Sequence, residues 1–195
     1  VEVREGMHDP AERLKDMDVE GIDVTVHYSG GPGEEWALLD ADFATALCQT
    51  INTAKAEFNS FAPDRLKAIA ILPMIDPARA AAELRRSVKE LGLVGMVTRQ
   101  HIRDKNLDDP SFDVVWAEAE KLGVPVCVHG GGQAPDQFPI AVDRYRSRLE
   151  VHALTHPFGG MLALMNFTVG GILHRFPKLR LGIMEAHCWW LPGWL

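Results

Sequence analysis

Short apolar runs alternate with longer amphipathic ones along this chain. "IDVTVHY" (Ile22 to Tyr28), "RLKAIAILP" (Arg65 to Pro73), "LVGMVTRQ" (Leu93 to Gln100), "VPVCVHGGG" (Val124 to Gly132) and "LRLGIMEAH" (Leu179 to His187) are rich in β-branched residues and bounded by turn formers. That pattern predicts strands. The stretches between them carry apolar residues at helical spacing. A helix is expected from Pro10 to Glu20, where Pro10 follows Asp9, Leu14 and Met17 share a face, and Gly21 ends the run. A longer one is expected within Glu34 to Ala62, with Leu39, Phe43, Ala46, Leu47 and Ile51 on one face. Asp76 and Pro77 open another, stopped by Gly92, and Pro110 to Leu122 is a fourth, stopped by Gly123. His156 to Pro177 reads as mostly helical, weakened at Gly170 and Gly171, and "WWLPGWL" begins a further helix.

Near-continuous apolar strands separated by helices imply a parallel sheet buried on both faces. Two α/β architectures offer that: an open doubly wound sheet and a (β/α)8 TIM barrel. No GxGxxG follows the first strand, which removes the main support for a dinucleotide-binding sheet. A barrel needs about 250 residues, so 195 would hold only its middle portion. The chain starts at Val1 without a Met and stops inside an apolar run, and the expectation is one domain over 1–195 that continues at both ends.

Composition narrows the partners. A net charge of −7 argues against a nucleic-acid surface and gives no reason to expect an anionic membrane. Cys48, Cys127 and Cys188 are far apart and odd in number, which suits a reducing, cytoplasmic setting with small buried thiols. No run approaches the length of a membrane span.

In both architectures functional groups gather where strands end. Here those ends carry His27 and Tyr28, then Met74, then Arg99, Gln100 and His101, then His129, then Glu185 and His187. His129 follows Val124, Val126 and Val128 and precedes three glycines. A neutral imidazole there can bind a divalent metal, or it can cap a strand end. Glu185 and His187, two apart on a strand, would share a face. They would then do acid/base work or complete a metal shell; alternatively Glu185 pairs with a rim arginine and His187 opens a helix. His152 and His156 lie four apart, but Pro157 disfavours helical geometry at His156, so they read as a helix start beside a substrate-facing loop. His174 suits a helix end, His8 and His101 read as solvated, and Met161 and Met165 as core. Arg99 and Arg103 can hold a substrate carboxylate or can belong to an exposed polar loop.

The phrases "RLKDMDVEGIDVTVHY", "FAPDRLKAIAILPMIDPARAAAELRRSVKELGLVGMV", "NLDDPSFDVVWAEAEKLGVPVCVHGGG" and "GGILHRFPKLRLGIMEAHCWWLPGWL", in that order, resemble the amidohydrolase-related family. This is the branch of the metal-dependent amidohydrolase superfamily that includes aminocarboxymuconate-semialdehyde and γ-resorcylate decarboxylases. The resemblance implies a (β/α)8 barrel, of which this chain would hold about strands two to six. It implies one divalent ion, zinc or manganese, held by a His pair on strand one, a His on strand five and an Asp on strand eight. His129 matches the strand-five ligand. It implies a hydrolase of amide or lactone bonds or a non-oxidative decarboxylase, acting on a small-molecule substrate, and a homodimer, which members often form. Decarboxylase relatives carry a His at the end of strand six; that position here is Glu185, with His187 two further on. Glu185 and His187 are therefore the acid/base candidates, and the loops at Met74 and "GGQAPDQF" would shape the pocket. The alternatives are a non-catalytic barrel that binds a small acid, or an inactive piece lacking most metal ligands.

Overall fold

The computed structural model describes residues 4–28, 40–130 and 144–194. The "SGGPG" and "GGQAPDQF" loops lie outside the described residues. The elements run α1 (Pro10–Glu20), β1 (Thr25–His27), α2 (Ala41–Ser60), β2 (Leu66–Ala68), β3 (Ala70–Ile71), α3 (Pro77–Lys89), β4 (Met96–Thr98), β5 (His101–Ile102), β6 (Lys105–Asn106), α4 (Asp113–Leu122), β7 (Val126–His129), α5 (Arg148–Phe167), α6 (Ile172–Arg175) and β8 (Leu181–Met184).

Caps set the helix limits. The Asp9 carboxylate accepts from the Ala11 and Glu12 amides, and Gly21 closes α1 in the left-handed region. Asp76 caps α3 in the same way, with Pro77 at its first position. Pro110 to Phe112 is a 3-10 turn leading into α4. Of the "WWLPGWL" stretch the described residues form a 3-10 turn over Leu191–Gly193, with Pro192 in its first turn. The expected exposed loop after β4 is instead the β5–β6 hairpin.

Every long-range strand pairing is parallel and follows chain order: β1 with β2, β3 with β4, β4 with β7, β7 with β8. β2 and β3 are one strand interrupted at Ile69, whose amide bonds the His27 carbonyl while the Ala68 carbonyl accepts from Val94. The order never reverses, so the described residues contain no crevice of the doubly wound kind. Helices α2, α3 and α4 pack side by side, and α5 lies on β7 and β8. Val126, Val128 and Met96 point into the helix-side core with Leu84, Trp116 and Phe167.

The opposite face is concave. The Tyr28 hydroxyl, at the end of β1, lies 3.5 Å from Cys127 Sγ on β7 and 3.7 Å from Met184 Sδ on β8. In a flat sheet β1 and β7 would be three spacings of about 4.8 Å apart, beyond the reach of one tyrosine. The sheet must curl for Tyr28 to cross it. Burial pushes the phenol up to about 12, with the Cys127 contact adding to it, so the hydroxyl stays a donor. The described strands form an arc and do not close into a barrel.

Several side chains depart from the sequence expectation. On α2, Phe43 is exposed and the buried stripe is Ala44, Cys48, Asn52 and Asn59. Met165 is exposed and so is Cys188. The α2 shift has a cause at the sheet. β1 is too short to pair with Ile71, and Asn52 replaces it: its amide accepts from the Ile71 N–H at 3.0 Å and donates to the Ile71 carbonyl at 2.9 Å. It also donates to buried Glu83, which Arg86 and Ser87 satisfy from the other side.

Asn52→Leu strands two backbone groups and part of a carboxylate in a dry site, and should cost about 2–4 kcal/mol in urea denaturation. An unchanged midpoint would show that water replaces the amide. His27, on β1, packs edge-on to Phe58, and its buried Nε2 has no hydrogen-bond partner among the described residues. Burial lowers its pKa, with Arg13 and Lys55 adding to the effect. The folded state therefore resists protonation more than the unfolded one, so stability is full above the ordinary histidine range and falls as pH drops through about 6.5. Melting temperature should decline from pH 7.5 to 5.5, and less steeply in His27→Gln.

Candidate active site at the strand ends

The pairing of β7 with β8 sets His129 opposite Met184. Glu185 is the next residue, and its carboxylate turns back toward β7. Its Oε2 lies 3.2 Å from His129 Nε2 and 3.4 Å from His156 Nε2. Two imidazoles from different elements thus meet one carboxylate oxygen at the carboxyl end of the sheet.

Each ring is oriented by a carbonyl. His129 Nδ1 faces the Gly130 carbonyl, and His156 Nδ1 faces the His152 carbonyl at 3.1 Å. A carbonyl only accepts, so both Nδ1 atoms carry the hydrogen and the Nε2 atoms are the ones presented. Burial lowers the His156 pKa, outweighing the upward pull of the His152 carbonyl and of Glu185. Its neutral form sets a lone pair against an oxygen that also carries one. The arrangement is satisfied when a proton or a cation lies between them. It can pass a proton, or it can offer donors to a metal ion. Among the described residues no group of three such side chains is arranged to hold a metal, so His129 supplies one well-oriented donor and these residues alone do not complete a shell.

His156 is the residue that sequence reasoning set aside. Helix α5 starts at Arg148, earlier than expected, under a Ser147–Glu150 capping box, and runs through Pro157. Pro157 does not break it because the rest of the helix is held against β7 and β8. Gly160 permits that approach, while a Cβ on Gly159 would make only ordinary contact. A Cβ on Gly159 would lie 3.5 Å from the Gln100 side chain, and one on Gly160 would lie 2.6 Å from the Ala186 Cβ. The signal was present as His156 one turn before a Gly-Gly pair, but only the packing shows what the pair approaches.

Glu185 and His187 do not share a strand face. β8 ends at Met184, and both residues have left-handed backbone, φ 55° and 56°. Such conformations in non-glycine residues cluster at functional sites. The double turn brings Glu185 to the imidazoles and leaves His187 exposed. Met74 is buried in the core cluster. His101 is half-buried, its Nδ1 2.9 Å from the Arg103 carbonyl.

A sequence profile of the amidohydrolase family matches residues 2–194. The chain belongs to the amidohydrolase family. Among curated members it is 30% identical to 2-amino-3-carboxymuconate-6-semialdehyde decarboxylase of Dictyostelium discoideum, over 92% of this chain and 48% of that one. It is 33% identical to γ-resorcylate decarboxylase of Rhizobium radiobacter, over 66% of this chain and 41% of that one. A solved 5-carboxyvanillate decarboxylase from Novosphingobium aromaticivorans, complexed with manganese and 4-hydroxy-3-methoxy-5-nitrobenzoic acid, superposes with a TM-score of 0.76 at 26% identity, over 93% of this chain and 51% of that one. The chain therefore spans less than half the length of these two curated family members. Among the described residues no helix is long and apolar enough to cross a membrane.

Ala introduced into a helix at Gly usually stabilises by up to about 1 kcal/mol. Gly160→Ala should do the reverse here, costing about 1–3 kcal/mol, because its Cβ would collide with Ala186. Equilibrium unfolding checks this, and a gain in stability would show that α5 does not sit this close.

Proposed function

We propose that this chain is the central part, strands two to six, of a (β/α)8 enzyme that removes a carboxylate from a small aromatic or enoic acid without oxidation. The convergence of His129, His156 and one oxygen of Glu185 at the carboxyl end of a singly wound, inward-curving sheet carries the proposal. The outer edges of β1 and β8 have no strand partner among the described residues, and Val24 and Val26 are exposed along the first; these are the edges at which a barrel would continue. The similarity to decarboxylases over most of this chain supports the reaction class.

A divalent ion, zinc or manganese, would be held through His129 Nε2 with ligands from elsewhere in the whole protein, and would supply a Lewis acid for the carboxylate and a neighbouring oxygen. The chain's own residues do the rest. The bond between the ring carbon and the carboxylate breaks, carbon dioxide leaves with no change of oxidation state imposed on the protein, and the electron pair left on carbon takes up a proton. Glu185 in its acid form is the donor we assign. His156, held neutral by burial with its hydrogen on Nδ1, orients that acid by accepting from its hydroxyl at Nε2, and the proton given up is replaced from solvent at the exposed Glu185 carboxylate. His187 is exposed and takes no part in that step. The carboxylate at the position where decarboxylases carry a His also supports a second reading, hydrolysis of an amide or lactone, in which Glu185 takes a proton from water instead.

The test uses the full-length protein. His129→Ala should lose bound metal by elemental analysis. Glu185→Gln should keep the metal and lower carbon dioxide release from 2,6-dihydroxybenzoate or a related acid by about 100-fold or more. Metal content unchanged in His129→Ala removes the ligand assignment. Release of an amine or hydroxy acid from amide or lactone substrates, with no carbon dioxide from acids, selects the hydrolytic reading.

A further inference from the structure

The turn after β4 carries Arg99, His101, Arg103 and Lys105 in a chain whose net charge is −7. With His counted neutral, residues 99–105 hold three basic side chains against one acidic one, Asp104, so this turn is locally basic in an acidic chain. Of these residues, Arg99 falls on the concave face. The register between β4 and β7 pairs Val97 with Cys127 and Thr98 with Val128, so the next residues on the two strands are Arg99 and His129. Burial alternates as a pleat requires: Thr98 and Gln100 are buried, Val97 and Arg99 half-buried. Cys127, on the Val97 side, meets Tyr28 across the arc, so that side is the concave one. Arg99 follows Val97 on that side, beside His129 and one layer above Cys127, which Tyr28 meets. Lys105, by contrast, is tied to Ser111 and Asp109 on the outer rim.

We propose that Arg99 is the substrate-anchoring residue of this site, its guanidinium taking the carboxylate of the acid and setting the scissile bond beside His129 and Glu185. This rests on the decarboxylase reading for the nature of the anion. A planar fork of five donors suits a carboxylate in two parallel hydrogen bonds, and it leaves donors for any protein group that shares it. The Tyr28 layer beneath blocks deeper entry, so an aromatic acid would stand on that layer with its charged end at the level of Arg99.

Binding of 2,6-dihydroxybenzoate and of resorcinol, its neutral decarboxylated counterpart, to the full-length metal-loaded protein tests the assignment by calorimetry. Salicylate and phenol serve as a second pair. Arg99→Gln should weaken the acids by about 10- to 100-fold and the phenols less than about threefold, so that the preference for acid over phenol collapses. Arg99→Lys should retain part of it, since the charge remains without the fork, and it guards against a variant that fails to fold. Equal weakening of acid and phenol, an unchanged preference in Arg99→Gln, or a wild type that prefers no acid over its phenol overturns the proposal. If the preference depends on Arg99 but the wild type releases no carbon dioxide from any acid, the anchor stands and the decarboxylase reading falls.

Discussion

The parallel register between β7 and β8 is the constraint on which the site depends. It sets His129 opposite Met184, and so fixes Glu185 as the first residue free to leave the sheet beside His129. A shift of one residue would turn His129 into the helix-side core and carry Glu185 away from it. The register is held by the burial of Val126 and Val128 on one face and of Cys127 on the other, which leaves no alternative alignment without exposing apolar surface. The left-handed turn at Glu185 is tolerated because its neighbour Ala186 is clamped beneath Gly160 of α5 and its carbonyl accepts from Trp190 Nε1.

Curvature is the second requirement, and it comes from unlike sources on the two faces. On the helix side, α3 and α4 are locked by a two-pronged pair in which Arg85 Nε and Nη2 donate to the two oxygens of Glu118 at 2.9 and 2.7 Å. The guanidinium holds that largely buried carboxyl below its usual range. On the concave side Tyr28 crosses the arc. Between them Asn52 stands in for strand pairing at Ile71, where β1 has already ended. A polar side chain at the centre of a helix's buried face is costly unless both its groups are met. Here they are met by the backbone of the strand it lies against.

These features meet at one rim. His129 comes from β7, Glu185 from the turn after β8, His156 from the middle of α5, and Arg99 from the end of β4. No two of the last three are close in sequence, and each sits at a strand end or on a helix pressed against one. A parallel sheet with every crossover in the same sense delivers all its loops to the same edge, which is why a dispersed set becomes a cluster. The chemistry of the set, two oriented imidazoles on one carboxylate with the guanidinium proposed to lie alongside, suits a small anion that must be held while a proton moves.

Much of this was legible in the sequence. Alternation of apolar strands with capped helices gave the parallel α/β class, Asp-Pro and Gly signals gave helix limits, and the strand ends named His129, Glu185 and Arg99. These are local properties, written in residues a few positions apart, and side-chain periodicity reports them directly. What lay beyond the sequence was which groups meet. The period-two rule placed Glu185 with His187, but the strand stops at Met184 and two left-handed residues send the pair apart. Pro157 argued against His156, yet α5 continues through it because tertiary packing against β7 and β8 outweighs one lost backbone bond. The buried face of α2 was misplaced for the same reason: hydrophobicity favoured Phe43, while the unpaired edge at Ile71 required Asn52. The sequence by itself determined the elements, their order and the residue types available at the strand ends. Only the tertiary structure decided their partners, because turn geometry, close approach at glycine and the completion of backbone hydrogen bonds depend on atoms far away along the chain.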